Sequence, residues 1–214
     1  MQQTVGILVF PEVEILDFCG PFEVFSITRL NEERRREEPS PFKVVLIAES
    51  ADPITTTGGM RVLPDYTLED HPALDILLIP GGLGTRALQS RRRLLGWIAL
   101  CARQVKILCS VCTGAFLLAG AGQLEDRAAT THWASLQRMR EAFPGVDVRD
   151  DLNVVEDGSV FTSAGVSAGI DMALRMVALL HGPAVARSAA LAMEYPYPES
   201  NQRRVQAKYI ANAS

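Results

Sequence analysis

The sequence has no long hydrophobic run, because its apolar stretches are short and broken by polar residues. None approaches the ~18 apolar residues that a membrane-spanning helix needs. The N-terminus lacks the basic stretch and the small-residue cleavage site of a secretory signal, so secretion is not expected. With 48% hydrophobic residues, the chain is also too apolar to be disordered.

The sequence also has no excess of basic residues. It contains 21 Lys and Arg against 25 Asp and Glu, a net charge of −4. Proteins that bind nucleic acids usually concentrate a basic excess on one face, so no nucleic-acid partner is expected. The 214 residues suit one domain, which we expect to have its core over residues 4–195 and a polar tail over residues 196–214.

Cysteine and histidine are scarce, with four and three residues. Four irregularly spaced cysteines are too few for a disulfide scaffold, and no Cys or His spacing matches a zinc site. The sequence therefore predicts free thiols in a cytoplasmic protein. Each thiol is then either a packing residue or a nucleophile.

Short apolar runs alternate with helical patterns along the chain. Strands are predicted at residues 5–10, 42–48, 74–79 and 106–111, with a hairpin at 153–162 around Asp157-Gly158. Helices are predicted at residues 13–30, with a break at Cys19-Gly20-Pro21, and at 94–105, 115–121, 167–180 and 184–193. This alternation predicts an α/β fold with a mostly parallel sheet covered on both faces.

Ligands of open parallel sheets bind beyond the carboxyl ends of the strands. Four segments follow predicted strands in this chain and are expected to converge there. They are residues 11–17, 80–84, 112–114 and 163–167.

Cys112 is the strongest candidate for a reactive side chain. It directly follows a predicted buried strand and precedes Thr113, Gly114 and a helix of small residues. A residue on such a strand-to-helix turn projects from the sheet edge, beside the first free N–H groups of the helix. We expect these groups to lower the pKa of the Cys112 thiol and to make it a nucleophile.

The other three cysteines are predicted to be packing residues. Cys109 lies inside a predicted strand, and Cys19 and Cys101 lie in apolar helical patterns. Cys109 and Cys112 also form a Cys-x-x-Cys pair, which is typical of dithiol redox sites. Both thiols of thioredoxin-like sites begin a helix, however, so the sequence favours Cys112 acting alone.

Residues 165–169 match the Gly-x-Ser-x-Gly elbow of serine hydrolases. The partners of a triad are missing, since the only histidine after Ser167 is His181 and the nearest aspartate lies on the same predicted helix. We interpret the segment as small residues that open a helix beside a pocket. The predicted lining residues here are Ser163, Ala164 and Gly165.

Glycines after another predicted strand offer backbone donors with no side chain in the way. Gly81 is expected to line the pocket, and the N–H groups of Gly82 and Thr113 are expected to face Cys112. Two such donors would stabilise a negative charge that develops during a reaction.

Two ionisable side chains are candidates for proton transfer. Asp17 lies between Leu16 and Phe18, where desolvation would raise its pKa towards the range useful in catalysis. A structural helix cap is the alternative for Asp17. His132 is either a base for Cys112 or a structural histidine that lines the pocket.

Four motifs together resemble the ThiJ/PfpI superfamily over residues 4–195. They are PGG at residues 80–82, CTGAF at 112–116, ATTHW at 129–133 and TSAGVSAGID at 162–171. The segment LDFCGP at residues 16–21 is most similar to the isonitrile hydratase branch. PfpI-type proteases have a glutamate near this place and usually a histidine after the cysteine, where this chain has Thr113.

The resemblance implies a flavodoxin-like three-layer sandwich with a cysteine nucleophile elbow, a homodimer and no cofactor. It also implies an isonitrile as the small-molecule substrate, which takes up water through a thioimidate and leaves as an N-substituted formamide. On the matching positions, Cys112 would be the nucleophile, Asp17 the acid/base group and Thr113 the neighbour that tunes the thiol.

Two other functions stay open. The same domain forms the ligand-sensing half of AraC-type regulators, and it would act here as a stand-alone small-molecule or redox sensor. About 20 residues follow Met193, too few for the helix-turn-helix module of those regulators. A glyoxalase-like or deglycase-like enzyme would use the same cysteine, but would carry a glutamate in place of Asp17.

Overall fold

The computed structural model describes residues 2–205, which form a central β-sheet with helices packed against it. The strands are β1 (Gln3–Leu8), β2 (Phe42–Ala48), β3 (Ile54–Thr55), β4 (Arg61–Val62), β5 (Tyr66–Thr67), β6 (Ile76–Ile79), β7 (Ile107–Val111), β8 (Ala128–Ala129), β9 (Asp147–Val148), β10 (Val154–Asp157) and β11 (Val160–Ser163). The α-helices are α1 (Ile15–Ile27), α2 (Thr85–Leu88), α3 (Arg92–Ala102), α4 (Ala115–Gly120), α5 (Leu136–Ala142), α6 (Ala168–His181) and α7 (Pro183–Ala192).

Seven strands form the main sheet in the order β10-β11-β7-β6-β1-β2-β5. All neighbours are parallel except β10 and β11, which pair as an antiparallel hairpin closed at Gly158 with a φ of 61°. Every residue of β6 and β7 is buried, as expected of central parallel strands covered on both faces. The predicted α/β fold with a mostly parallel sheet is confirmed.

The helices pack in groups that follow the sheet. Helices α1, α6 and α7 contact one another, and α4 contacts α2, α3, β6 and β7. This arrangement is the flavodoxin-like sandwich that the resemblance to the ThiJ/PfpI superfamily implies. No helix within residues 2–205 is long and apolar enough to cross a membrane.

Helix α1 is continuous, so the predicted break at Cys19-Gly20-Pro21 is wrong. Pro21 lies inside the helix, where it removes one backbone donor. Packing against α6 holds the helix together there. Gly20 lies against the side chain of Ile170, and Gly169 lets Val111 and Pro21 approach α6 closely. Tertiary contacts therefore override the local preference for a break.

The chain after residue 195 is not simply a polar tail. Asn201 donates to the Val154 carbonyl (2.8 Å) and accepts from the Val154 N–H (3.0 Å), at the outer edge of β10. Arg203 is 5% exposed and donates to Leu152, Thr130 and Thr131. The segment predicted as a polar tail over 196–214 is polar at residues 201–203 but is bonded to the domain through Asn201 and Arg203, and its part from 206 onwards lies outside the described residues.

Candidate active site

The four segments expected to converge meet at the carboxyl ends of β1, β6, β7 and β11. The Gly81 N–H donates to the Asp17 carboxylate (2.8 Å). The Gly82 N–H donates to the Thr113 hydroxyl (3.1 Å), and the Cys112 N–H donates to the Ala164 carbonyl (3.0 Å). Hydrogen bonds donated by three backbone N–H groups thus join all four segments around Cys112.

Cys112 directly follows β7 and begins a short 3₁₀ helix at Cys112–Gly114, where the backbone is strained. Its φ of 58° lies in the left-handed region that non-glycine residues rarely adopt. The Cys112 carbonyl accepts from the Thr131 hydroxyl (2.7 Å), which holds the turn from the side opposite its N–H bond. A Cβ on Gly114 would lie 2.0 Å from the Ile79 carbonyl, so only glycine allows the turn to approach β6.

Cys112 is 7% exposed, and the pKa of its thiol lies above the ordinary value. Burial is the largest cause, and the neighbouring Asp17 carboxylate adds to it by disfavouring a second negative charge. The N–H groups of Thr113 and Val166 act in the opposite direction. The expectation that the turn lowers the pKa of the Cys112 thiol is therefore wrong, because burial outweighs the two backbone donors.

Asp17 lies in the first turn of α1, fully buried. Oδ2 accepts from the Gly81 N–H, while Oδ1 is buried with no hydrogen-bond partner among residues 2–205. Burial raises the pKa of the carboxyl from 3.8 to about 7, as the sequence predicts. Gly81, the Cys112 thiol and the Val166 N–H lower the pKa, but burial prevails. The carboxyl can therefore both release and accept a proton near neutral pH.

Position 81 has no space for a side chain and requires glycine. A Cβ there would be 2.6 Å from the Thr113 nitrogen and 2.8 Å from Asp17 Oδ2. The residue is buried between these two groups and does not line the cavity that Cys112 faces. Gly81 thus positions the carboxyl from behind, which corrects its predicted place in the pocket wall.

The Thr113 hydroxyl ties the turn to the loop after β6. It accepts from the Gly82 N–H and lies 3.1 Å from the Thr85 hydroxyl, which in turn donates to the Gly82 carbonyl (2.8 Å). Gly82 lines the cavity, but its N–H is already bonded, so it does not provide the free donor that was predicted. The two N–H groups that favour a charged sulfur belong to Thr113 and Val166.

The cavity in front of Cys112 has a volume of about 240 Å³. Its lining comes from the loop after β6, helices α2 and α5, and the turn before α6. The lining residues are Glu14, Gly82, Leu83, Thr85, Arg86, Cys112, Thr113, His132, Ser135, Arg138 and Val166. Such a volume suits a small organic molecule rather than a peptide.

Residues 163–165, predicted to line the pocket, do not line the cavity in front of Cys112, whereas the next residue, Val166, does. Ser163 donates weakly to the Ser110 carbonyl (3.4 Å) within the sheet, and Ala164 and Gly165 line a neighbouring cavity of about 220 Å³. Val166, with a φ of 51°, is the residue that reaches Cys112. The match to an elbow motif in the sequence was the available signal for this backbone turn.

His132 lines both cavities, but the structure does not pair it with the Cys112 sulfur. Nδ1 accepts from the Ala134 N–H (3.3 Å), and the ring packs against Gly165. Burial and the nearby Arg203 lower the pKa of His132, so the ring is neutral at pH 7. With Nδ1 engaged, the proton of the neutral ring lies on Nε2, which favours a structural role over that of a base.

The remaining cysteines are separate from this site. All four thiols are free, and Cys109 donates to the Leu77 carbonyl (3.4 Å) from inside the sheet. Burial raises the pKa of Cys109, Cys101 and Cys19. No disulfide or dithiol centre is therefore formed by Cys109 and Cys112. Residues 2–205 also contain no group of three or more His, Cys, Asp or Glu side chains that could hold a metal ion.

The fold and this cysteine turn define the class of protein. The model of the DJ-1/PfpI family matches residues 3–179, and the chain belongs to that family. The resemblance to ThiJ/PfpI proteins that the sequence motifs indicate is confirmed.

Individual proteins of known name or structure are also similar to this chain. Isonitrile hydratase of Pseudomonas putida is 35% identical over 195 residues, which cover 91% of this chain and 79% of that protein. A crystal structure of a ThiJ/PfpI family protein from Pseudomonas syringae is 31% identical with a TM-score of 0.82, covering 100% of this chain and 84% of that one. The transcriptional regulator GbdR of Pseudomonas aeruginosa is 32% identical over 73% of this chain, which covers 43% of the regulator.

Proposed function

We propose that the protein is an isonitrile hydratase, which converts R–N≡C and water into an N-substituted formamide. The observation that carries this proposal is the juxtaposition of the Cys112 thiol with the Asp17 carboxyl, whose pKa is about 7. The terminal carbon of an isonitrile takes up a nucleophile and a proton, and this pair offers both. The 35% identity with a Pseudomonas putida isonitrile hydratase supports the same reaction.

In the first half-reaction, ionised Asp17 takes the proton of the Cys112 thiol, and the sulfur attacks the terminal carbon. Asp17 then delivers that proton to the same carbon. One C–S and one C–H bond have formed, which gives the thioimidate R–N=CH–S–Cys112, and Asp17 is ionised again. The N–H groups of Thr113 and Val166 stabilise the transient thiolate.

In the second half-reaction, water adds to the thioimidate carbon. Asp17 accepts one proton from the water and passes it to the imine nitrogen as the double bond opens, which gives R–NH–CH(OH)–S–Cys112. The hydroxyl proton of this adduct then passes to Asp17. The C–S bond then breaks, R–NH–CHO leaves, and the sulfur regains its proton through Asp17. The sum consumes one isonitrile and one water, with no net oxidation or reduction.

An assay with a para-substituted phenyl isonitrile tests the proposal. We expect the wild-type protein to form the formamide, seen by absorbance and by mass spectrometry. The Cys112→Ala variant should lose turnover while circular dichroism shows the same fold, and Cys19→Ala should keep it. No turnover by the wild-type protein overturns the proposal, and full activity of Cys112→Ala overturns the assignment of the nucleophile.

The other functions give different outcomes in parallel assays. Turnover of methylglyoxal without turnover of an isonitrile indicates a glyoxalase-like enzyme. Selective, reversible oxidation of Cys112 by mild peroxide, seen by intact mass, indicates a redox sensor. The raised pKa of the Cys112 thiol argues against that sensor, since peroxide reacts with the thiolate.

A further inference from the structure

Two arginines from different helices line the cavity in front of Cys112. Arg86 belongs to α2 and Arg138 to α5. The mechanism proposed above uses neither of them. Their positions on separate elements, at one small cavity, therefore require another explanation.

Neither guanidinium has an ion-pair or hydrogen-bond partner within residues 2–205. No carboxylate oxygen lies within 4.0 Å of either one, and neither donates a side-chain hydrogen bond there. Arg138 is half-buried, which distinguishes it from the exposed unpaired arginines. Every other arginine of residues 2–205 that is buried or half-buried donates at least one hydrogen bond, namely Arg29, Arg35, Arg127, Arg149, Arg175 and Arg203.

The guanidinium of Arg138 is held in place by an aromatic ring. Its central carbon lies 4.0 Å from the centroid of Phe116, in a cation–π contact. Burial and the charge of Arg86 lower the pKa of Arg138, so the two cations act on each other across the cavity wall. A pair of cations without a counter-charge is unfavourable unless an anion completes it.

The other ionisable groups of the cavity do not neutralise the pair. Glu14 lines the cavity, but it forms no ion pair with another residue of the described chain. His132 is neutral at pH 7 because burial and Arg203 lower its pKa. Asp17 is not among the lining residues, and its carboxyl interacts with Gly81 and Cys112. The wall therefore carries two cations against one anion.

We propose that Arg86 and Arg138 bind a carboxylate on the substrate, at the end of the cavity away from the isonitrile carbon. The inference rests on the proposed function and specifies its substrate class, small isonitriles that carry a carboxylate. The planar fork of an arginine matches the two oxygens of a carboxylate, and a partly enclosed site strengthens the contact. A cavity of about 240 Å³ limits the linker between the two groups to a short chain or one ring.

Matched substrates test the charge alone. We expect kcat/KM for 4-isocyanobenzoate to exceed that for the isosteric 4-isocyanobenzamide by about tenfold or more, since hydrogen bonds to charged groups are roughly twice as strong as neutral ones. Arg138→Met and Arg86→Met should each lower kcat/KM for the carboxylate about tenfold and that for the amide by a smaller factor, so that the preference for the carboxylate falls. The control is Arg140→Gln, because Arg140 lies on the same helix but pairs with Asp150 at the surface.

A binding experiment separates this inference from the proposed function. Isothermal titration calorimetry with benzoate and benzamide needs no turnover, and benzoate should bind more tightly to the wild-type protein but not to Arg138→Met. Turnover of both isonitriles with no preference for the carboxylate overturns the carboxylate site and leaves the hydratase proposal standing. Arginine-dependent binding of benzoate with no isonitrile turnover overturns the hydratase proposal and leaves the carboxylate site standing. Equal, weak binding of both ligands without turnover overturns both.

Discussion

At the residue scale, the carboxyl of Asp17 determines how the Cys112 thiol can lose its proton. It is fully buried beside Cys112, with one oxygen bonded to the Gly81 N–H and the other without a hydrogen-bond partner among residues 2–205. Burial raises the pKa of this carboxyl towards neutrality, while it keeps the thiol protonated at rest. The reactive form is then made during the reaction, by proton transfer within the pair, rather than stored as a thiolate.

The pH dependence of the proposed turnover should therefore report Asp17. The first step needs the ionised carboxylate, and its pKa is about 7. We expect kcat/KM to rise about tenfold per pH unit below that value and to level off above it. Asp17→Asn should lose both the rise and most of the activity. A profile of Asp17→Asn that matches the wild type would assign the titration to another group.

The ionisation of Asp17 should also affect the stability of the protein. The free energy of unfolding should fall with rising pH, whereas kcat/KM should rise. The unfolded chain ionises Asp17 near 3.8 and the folded chain near 7, so the folded state keeps a proton that the unfolded state loses between these values. The free energy of unfolding then falls as the pH rises through this interval, and stays low above it.

Asp17→Asn has no proton to lose there. At pH 8 it should exceed the wild type in stability by up to roughly 4 kcal/mol, and the difference should shrink towards pH 4. Urea unfolding at a series of pH values measures this, with the exposed Asp52→Asn as control. A difference that does not vary with pH would contradict a buried, ionisable Asp17.

At the scale of the secondary-structure elements, the contact between α1 and α6 determines the position of Asp17. It keeps α1 helical through Pro21 and thereby places Asp17 under Cys112. A Cβ on Gly20 would lie 2.9 Å from Cγ1 of Ile170, whereas a Cβ on Gly96 of α3 would meet nothing within 4 Å. These two helical glycines differ only in what surrounds them.

Alanine substitutions at the two glycines should have opposite signs. Gly20→Ala should destabilise the protein by about 1–3 kcal/mol, because the added methyl overpacks the helix contact. Gly96→Ala should stabilise it by about 0.5–1 kcal/mol through helix propensity alone. Chemical denaturation measures both, and Ile170→Ala, which removes Cγ1, should cost less in the Gly20→Ala background than in the wild type. Equal effects at the two positions would mean that the contact is unimportant.

The C-terminal segment fastens the site at the scale of the whole molecule. Arg203 donates to the Thr130 hydroxyl (2.8 Å) and to the Thr131 carbonyl (2.6 Å). The Thr131 hydroxyl in turn donates to the Cys112 carbonyl (2.7 Å). A residue near the end of the described chain thus supports the turn that carries the thiol.

Loss of this support should lower stability substantially. Arg203→Ala leaves the Thr130 and Thr131 partners without their buried donor, and should cost about 2–4 kcal/mol. Arg34→Ala is the control, because Arg34 pairs with Glu37 and Glu38 at the surface and should cost at most about 1 kcal/mol. Urea titrations compare the two variants. A small loss for Arg203→Ala would show that the segment contributes little.

Much of the fold could be predicted from the sequence. The runs at 42–48 and 106–111 match β2 and β7 closely. Strand β7 is buried throughout and apolar or small at every position, and β2 departs from an apolar run only at the exposed Lys43. Helices α2 and α5, of four and seven residues, were not predicted because short helices depend on packing rather than on periodicity. Both arginines of the proposed carboxylate site lie on these helices. The homodimer implied by the family resemblance stays a prediction.

The sequence by itself determined the alternation of strands and helices, the turn at Cys112 and the family. These features are local, because burial and turn geometry leave patterns within a few residues. Only the tertiary structure decided the direction of the pKa of the Cys112 thiol, the pairing of the Gly82 N–H and the approach of Arg86 to Arg138. Each of these depends on groups distant in the chain, whose interaction is set by separation and burial in space.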